Sequence, residues 1–173
     1  MKRISYLRIT TLASIMCAAL SAQATSLFLS SAGLATSSGT TEVVSETVNT
    51  QYGGYGPLSS LNYSFDTGTL VGSGIYSGTG GTLDFSIKYN ASSIVVVGPS
   101  QSMDGTWTYT NGTGTYAGLV GGGTEAHTLL TLGPSLAVSG TVLSGTLNPV
   151  PEPEAYAALG IGLLGFLVKR KNR

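Results

Sequence analysis

The sequence predicts an all-β fold over residues 25–149, either an antiparallel barrel of about eight strands or a two-sheet sandwich. Apolar and polar residues alternate with period two, as in Leu83, Phe85, Ile87 and Tyr89, which places one apolar face on each strand. Short sequences rich in Gly, Asn and Asp separate the alternating runs, as expected for antiparallel connections. We favour the barrel because closure removes exposed strand edges.

Eight strands follow from these patterns. Leu61 to Phe65 and Thr106 to Thr110 alternate in the same way, whereas the continuous apolar run Ile94 to Val97 predicts a strand that is covered on both faces. The predicted strands are 41–49, 60–66, 69–77, 82–89, 93–97, 105–111, 124–132 and 136–147. We expect them to form one monomeric domain with a single core.

Residues 1–24 have the pattern of a signal peptide. Positive residues precede an apolar core, Ile9 to Leu20, and Ala22 and Ala24 supply the small residues of a cleavage site, so the mature chain should begin at Thr25. The positive residues are Lys2, Arg3 and Arg8. Cys17 lies inside the apolar core and follows Met16, which does not favour lipidation. Its removal would leave a mature protein without cysteine.

Residues 150–173 contain three successive parts. Pro151, Glu152 and Pro153 interrupt any helix or central strand, and residues 155–168 carry no charge. A basic tail of Lys169, Arg170, Lys171 and Arg173 ends the chain. A helix over the uncharged part would be about 21 Å long, shorter than the roughly 30 Å hydrocarbon core, which predicts a transient membrane insertion. The alternatives are a simple tail anchor or a buried helix, while a glycolipid-anchor signal would end apolar.

This tail resembles the PEP-CTERM sorting domain of bacterial extracytoplasmic proteins, with Pro151, Glu152 and Pro153 at the motif. The resemblance implies an exosortase-type membrane enzyme as partner, with cleavage near Pro151. It also implies export to the cell envelope, cell surface or extracellular matrix, and association with exopolysaccharide or biofilm.

A second stretch, Trp107 to Thr124, resembles the strand, glycine-rich turn and strand of dirigent-like and allene-oxide-cyclase-like β-barrels. Asn111 departs from that pattern, and no catalytic residue is carried over. Gly112, Gly114 and Ala117 match a dinucleotide-binding fingerprint loosely, but no preceding parallel strand, following helix or acidic residue about twenty residues further on is indicated.

The charge of the predicted domain excludes nucleic acid as a partner. Outside the terminal segments, one Lys stands against six carboxylates, which gives residues 25–149 a net charge of −5 with His127 neutral. The charged residues are Lys88, Glu42, Glu46, Asp66, Asp84, Asp104 and Glu125.

Candidate catalytic residues are few. His127 and Glu125 share one strand face and could act as an acid–base pair, although such a pair more often lies on a solvated face. Asp66, Asp84 and Asp104 could supply a glycosidase pair, but Asp at such positions commonly caps turns. No metal-ligand spacing is present, and we expect no cofactor.

Aromatic residues are the candidate ligand-binding groups. Tyr52 and Tyr55 lie in a glycine-rich loop, and Trp107 would stack on a sugar if it faced solvent, with core packing as the alternative. The sequence thus leaves three functions open. A non-enzymatic surface or matrix protein is favoured, followed by a carbohydrate-binding matrix module and then a secreted barrel enzyme.

Overall fold

The computed structural model of the protein describes residues 24–150, which contain nine β-strands and two single-turn 3₁₀ helices. The strands are β1 (Thr25–Ser38), β2 (Thr41–Tyr52), β3 (Ser60–Asp66), β4 (Val71–Gly78), β5 (Gly81–Tyr89), β6 (Val95–Val97), β7 (Ser100–Gly112), β8 (Leu119–Gly133) and β9 (Leu136–Pro149). Residues Ala24–Asn148 form one compact unit. Within residues 24–150, no helix is long and apolar enough to cross a bilayer.

Eight of these strands close into an antiparallel barrel, which confirms the predicted fold class. The hydrogen-bonded order is β5-β4-β3-β2-β1-β9-β8-β7, and β5 also pairs with β7 from Tyr89 opposite Gly105 to Leu83 opposite Gly112. β6 pairs with the beginning of β7 and lies outside the closed ring. The ring therefore has no free edge over most of its length.

The eight barrel strands are not the eight that the sequence predicted. β1 was missed because its inward positions after Leu29 are occupied by Ser31, Gly33 and Ala35, which are too small to produce a clear apolar alternation. The predicted strand 93–97 shortens to β6. Its predicted coverage on both faces is wrong, because Val95, Val96 and Val97 are all exposed.

The core fills the barrel interior with the alternating residues that the sequence identified. The four apolar residues of β5 and the three of β3 are all buried. β4 adds the buried Tyr76 and places Gly72 and Gly74 opposite four of these large residues. A Cβ at Gly74 would overlap the Tyr63 Cβ and lie 2.9 Å from Cζ of Phe85, so glycine is needed there for the rings to pack.

The turns use the chemistry that the sequence indicated. Oδ1 of Asp66 accepts hydrogen bonds from the backbone N–H groups of Gly68 at 3.0 Å and Thr69 at 2.7 Å, which closes the β3–β4 turn. Asn90 caps the first 3₁₀ helix by accepting from the Ser92 N–H. Gly98 has a φ of 59° in the β6–β7 turn.

Candidate functional site

The barrel interior contains an unusual set of ionisable side chains. β2 directs Glu42 and Glu46 inward, and β8 directs Glu125 and His127 inward, where all four are buried. The expectation that Glu125 and His127 lie on a solvated face is therefore wrong. The strand face that carries Glu125 and His127 lines the barrel interior. These two residues alternate with the exposed Thr124, Ala126 and Thr128, a pattern that does not tell a buried polar face from a solvated one. These four side chains, together with Ser31, Tyr63, Tyr89, Ser139 and Thr141, form the interior polar cluster.

Glu46 is the best-satisfied carboxylate of the interior polar cluster. Its Oε2 accepts from the Ser31 hydroxyl at 2.5 Å, and its Oε1 accepts from the hydroxyls of Ser139 and of Thr141, the latter at 3.0 Å. β1 supplies the Ser31 hydroxyl, and the neighbouring strand β9 supplies the hydroxyls of Ser139 and Thr141. Three donors compensate for much of the cost of burying a charged carboxylate.

A chain of hydrogen bonds joins His127 to Glu125. Nδ1 of His127 lies 2.7 Å from the Tyr63 hydroxyl, which lies 3.1 Å from the Tyr89 hydroxyl, which donates to Glu125 Oε1 at 2.6 Å. Thr141 donates its single proton to Glu46 and so accepts at 3.2 Å from Nδ1. Because Tyr89 donates to Glu125, it accepts from Tyr63, and Tyr63 in turn accepts from His127. This assignment places a proton on Nδ1 of His127.

Burial controls the protonation of Glu125. Desolvation, opposed by the Tyr89 hydrogen bond and assisted by the nearby Glu46 charge, raises the pKa of Glu125 to about 8. Burial also raises the pKa of Tyr63 and of Tyr89 above the ordinary tyrosine value. At neutral pH Glu125 is therefore largely protonated, so it adds little negative charge to the interior polar cluster.

Two carboxylate oxygens of the interior polar cluster have no hydrogen-bond partner among residues 24–150. They are Glu42 Oε1, which lies 3.9 Å from Nε2 of His127, and Glu125 Oε2. Glu42 and His127 together could act as an acid and a base that exchange protons with a substrate. However, His127 is fully buried, and it lines neither of the two clefts described below.

Two open clefts lie on the barrel surface. The larger, of about 540 Å³, is bordered by Lys88, Asn90 and Asp104 and has Tyr89 in its wall, so this tyrosine contacts both the cleft and Glu125. The smaller, of about 300 Å³, lies against the β2–β3 loop and is lined by Gln51, Tyr55 and Leu58. The larger volume lies within the range of about 300 to 1,000 Å³ for small-molecule sites, and the smaller lies at its lower end.

The three candidate ligand-binding aromatics occupy different environments. Tyr52 is 68% exposed and packs against Phe28 with ring centroids 5.8 Å apart. Tyr55 lines the smaller cleft, and its hydroxyl donates to the Leu147 carbonyl at 3.0 Å. Trp107 is 1% exposed and donates from Nε1 to the Ser144 carbonyl at 3.0 Å, so core packing is the alternative that the structure shows.

The aspartates do not converge on a catalytic pair. Asp66 caps a turn, and the hydrogen bond from Thr40, with those from the turn backbone, lowers the pKa of its carboxyl group. Asp84 lies within β5, and Asp104 lies on β7 beside the larger cleft. Among residues 24–150, no group of three or more His, Cys, Asp or Glu side chains is arranged to hold a metal ion.

Sequence reasoning missed several members of the interior polar cluster. Glu42 and Glu46 alternate with Thr41, Val43 and Ser45. This alternation places both carboxylates on the same face of β2 as Val44. That signal was present, but valines on both faces of β2 concealed which one is inward. Tyr63 and Tyr89 were recognised only as apolar core positions.

Comparison with known families identifies the C-terminal segment. The model of the PEP-CTERM protein-sorting motif matches residues 149–171. No curated protein and no solved structure matches the chain. The predicted motif residues, the uncharged segment, the basic tail and the signal-peptide residues before Ala24 lie outside the described residues. The resemblance of Trp107 to Thr124 to dirigent-like barrels stays a prediction.

Proposed function

We propose that this chain is a non-enzymatic structural protein of the bacterial surface or extracellular matrix. It carries the PEP-CTERM sorting motif, which implies export and sorting to the cell surface by exosortase-type machinery. Its barrel is the delivered part and its tail is the sorting signal. Association with exopolysaccharide or biofilm belongs to the same proposal.

The junction between barrel and tail is the observation that carries this proposal. β9, the last barrel strand, ends at Pro149, and the sorting motif begins at the same residue. β9 is paired along its length with β1, from Leu147 opposite Thr25 to Leu136 opposite Thr36. A cut near Pro151 would therefore remove the tail without taking any residue of the barrel.

The filled barrel interior supports a structural role over an enzymatic one. The core side chains and the interior polar cluster occupy the space in which an enzymatic barrel would hold its substrate. Only Tyr89 of that cluster borders a cleft. We expect no hydrolase or oxidoreductase turnover from the barrel, and a reproducible activity that disappears in His127→Ala would overturn this part of the proposal.

Carbohydrate binding is the second candidate function, and the smaller cleft favours it. Tyr55 lines that cleft, and its ring stacks on the fully buried Tyr116 ring with centroids 5.3 Å apart, which holds one aromatic ring beside the polar groups of the cleft. Titration of the protein with polysaccharide from its own cells tests this candidate. Binding that is lost in Tyr55→Ala but kept in Tyr52→Ala would support it, whereas absence of saturable binding would eliminate it.

The sorting role is tested by two sets of tail variants. Insertion scales assign about 2.5 to 3.5 kcal/mol to each Lys or Arg moved to a helix centre, so the basic tail should stop the segment in the membrane. Neutral replacement of Lys169, Arg170, Lys171 and Arg173 should release unprocessed protein, and Pro151→Ala with Pro153→Ala should leave uncut protein at the membrane. Processing and location of both variants like the wild type would contradict the proposal.

A further inference from the structure

The connections at one end of the barrel form a closed cap. These three connections, here called the exit cap, are the β2–β3 loop (53–59), the β4–β5 turn (79–80) and the segment between β7 and β8 (113–118). The Gly80 N–H donates to the Pro57 carbonyl at 2.9 Å, and the Thr115 N–H donates to the Gly80 carbonyl at 2.9 Å. The Gly56 N–H donates to the Thr115 hydroxyl at 3.0 Å. Each of the three connections is therefore hydrogen-bonded to the other two.

The barrel chain begins and ends at the exit cap. Thr25, the first residue of β1, is paired with Leu147 near the end of β9. The Tyr55 hydroxyl of the cap donates to the Leu147 carbonyl at 3.0 Å, which fixes the β2–β3 loop against the end of β9. The uncharged tail segment begins at Ala155, six residues after Pro149, and six extended residues span at most about 20 Å. While that segment is in a bilayer, the exit cap is therefore the end of the barrel nearest the membrane.

The exit cap carries no charged residue. Its three connections consist of Gly, Thr, Ser, Tyr, Pro, Leu and Ala alone. Among residues 24–150, the charged side chains outside the barrel interior are Asp66, Asp84, Lys88 and Asp104. Asp84 lies part-buried in β5, and the other three lie around the β3–β4 turn and the larger cleft at the opposite end of the barrel. Because the barrel is net negative, its repulsion from an anionic bilayer is smallest when the exit cap faces that bilayer.

Aromatic and apolar side chains lie near the point where the chain leaves the barrel. Tyr52, the last residue of β2, is 68% exposed and is paired with Phe28 on β1, on which its ring packs. Tyr55 is partly exposed beside Leu147, and Val150 is 48% exposed. A tyrosine combines an apolar ring with a hydroxyl group that hydrogen-bonds to water or lipid headgroups. It is therefore a preferred residue at the boundary between a bilayer and water.

Building on the sorting role proposed above, we propose that the exit cap rests on the bilayer surface while the tail is inserted, with Tyr52 and Phe28 at the level of the lipid headgroups. The tail then holds the barrel at one point, and the cap fixes its orientation. The larger cleft and the charged residues around it point away from the membrane. The bond near Pro151 is thereby presented at the membrane surface, within reach of a membrane-embedded enzyme.

Single-cysteine labels test this orientation, because residues 24–150 contain no cysteine. The full chain with Cys17→Ser is produced in a bacterium without exosortase, so that the tail stays attached. Gly54→Cys places a fluorophore on the exit cap, and Gly133→Cys places one at the opposite end of the barrel, where β8 ends. A Cβ at Gly54 would meet only a methyl group of Thr25 at 3.5 Å, and one at Gly133 would meet nothing within 4 Å, so both substitutions fit.

The readout is quenching by a lipid that carries a nitroxide group at its headgroup. This lipid should quench the Gly54 label strongly and leave the Gly133 label nearly unchanged. Tyr52→Asp should lower the ratio of quenched to unquenched Gly54 label about five-fold, the factor expected when one like charge is brought to an anionic surface. Val97→Asp is the matched control and should leave the ratio unchanged. Val97 is 70% exposed, close to the 68% of Tyr52, but belongs to β6 at the opposite end.

The possible failures are distinguishable. Absence of the protein from the membrane fraction would refute the proposed insertion of the tail and the orientation with it. Membrane-bound protein in which both labels are quenched equally or not at all, or in which Tyr52→Asp and Val97→Asp behave alike, would refute the orientation alone. Quenching of the Gly54 label only in cells that contain exosortase would assign the exit cap to the enzyme and also overturn the proposal.

A second label protects the test against a folding defect. If Gly54→Cys does not fold, as judged by circular dichroism, Thr79→Cys places the fluorophore in the β4–β5 turn of the same cap. Thr79 is exposed, and its label must be quenched in the way expected for Gly54. An unquenched Thr79 label on membrane-bound protein would refute the orientation.

Discussion

Replacement of Glu125 by Gln should change how the stability of the barrel depends on pH. The folded-state pKa of Glu125, about 8, lies above the ordinary value of 4.5. Between these two values the folded protein holds a proton that the unfolded chain releases, so the free energy of unfolding falls as pH rises. Gln cannot ionise and retains an oxygen that can accept from the Tyr89 hydroxyl.

The magnitude follows from the size of the pKa difference. Each pH unit in this window removes about 1.4 kcal/mol, and the loss becomes smaller near pH 8, where the folded carboxyl group is half ionised. From pH 5 to pH 8, Glu125 should therefore remove roughly 3 kcal/mol from the stability of the wild type. That is a large share of the 5 to 15 kcal/mol typical of a folded domain.

Urea denaturation at pH 5, 6, 7 and 8 measures this effect. Trp107, the single tryptophan of the chain, is buried and reports unfolding by fluorescence. The difference in unfolding free energy between wild type and Glu125→Gln should shift by roughly 3 kcal/mol across this range in favour of the variant. Asp104→Asn, at an exposed carboxylate, is the control and should follow the wild type. Parallel curves for wild type and Glu125→Gln would refute the reasoning.

Three further predictions concern packing and hydrogen bonding. Trp107→Ala should lower the unfolding free energy by about 3 to 5 kcal/mol in urea denaturation followed by circular dichroism, because the ring is fully buried, whereas Tyr52→Ala at a 68% exposed site should change it by less than about 1 kcal/mol. Gly74→Leu should prevent a cooperative thermal transition, since its side chain would overlap Tyr63 and Phe85, and a normal melt would show that β4 can move aside. Ser139→Ala should destabilise the barrel by about 1 to 3 kcal/mol at pH 7, because it removes a donor from buried Glu46, and the effect should largely vanish when it is combined with Glu46→Met, which removes the acceptor.

The fold was predictable where large and polar residues alternate. In β3 and β5 the inward residues are Leu, Tyr, Phe or Ile, and period two alone located both strands within a residue. β1 was not predictable in this way, because Ser31 and Gly33 occupy inward positions whose volume is filled from other strands. β6 shows the opposite error, since three consecutive valines indicate a buried strand only when another layer covers them.

The interior polar cluster was less predictable than the fold. Period two pairs residues within a strand, and it correctly joined Glu125 to His127. The contacts of Glu46 with Ser31 and Ser139 depend on the strand order, which places β9 beside β1 and β1 beside β2. The sorting motif was recognisable because its three parts are consecutive in the sequence and do not depend on the fold.

Delivery of the barrel by removal of its sorting tail is tested most directly by the intact mass and terminal sequence of the protein recovered from its native cells. We expect a chain that begins at Thr25, carries no lipid and ends near Pro151, with every barrel strand retained. A chain that still contains Lys169 to Arg173, or one that begins with a lipidated Cys17, would contradict the claim that this barrel is delivered by removal of its sorting tail.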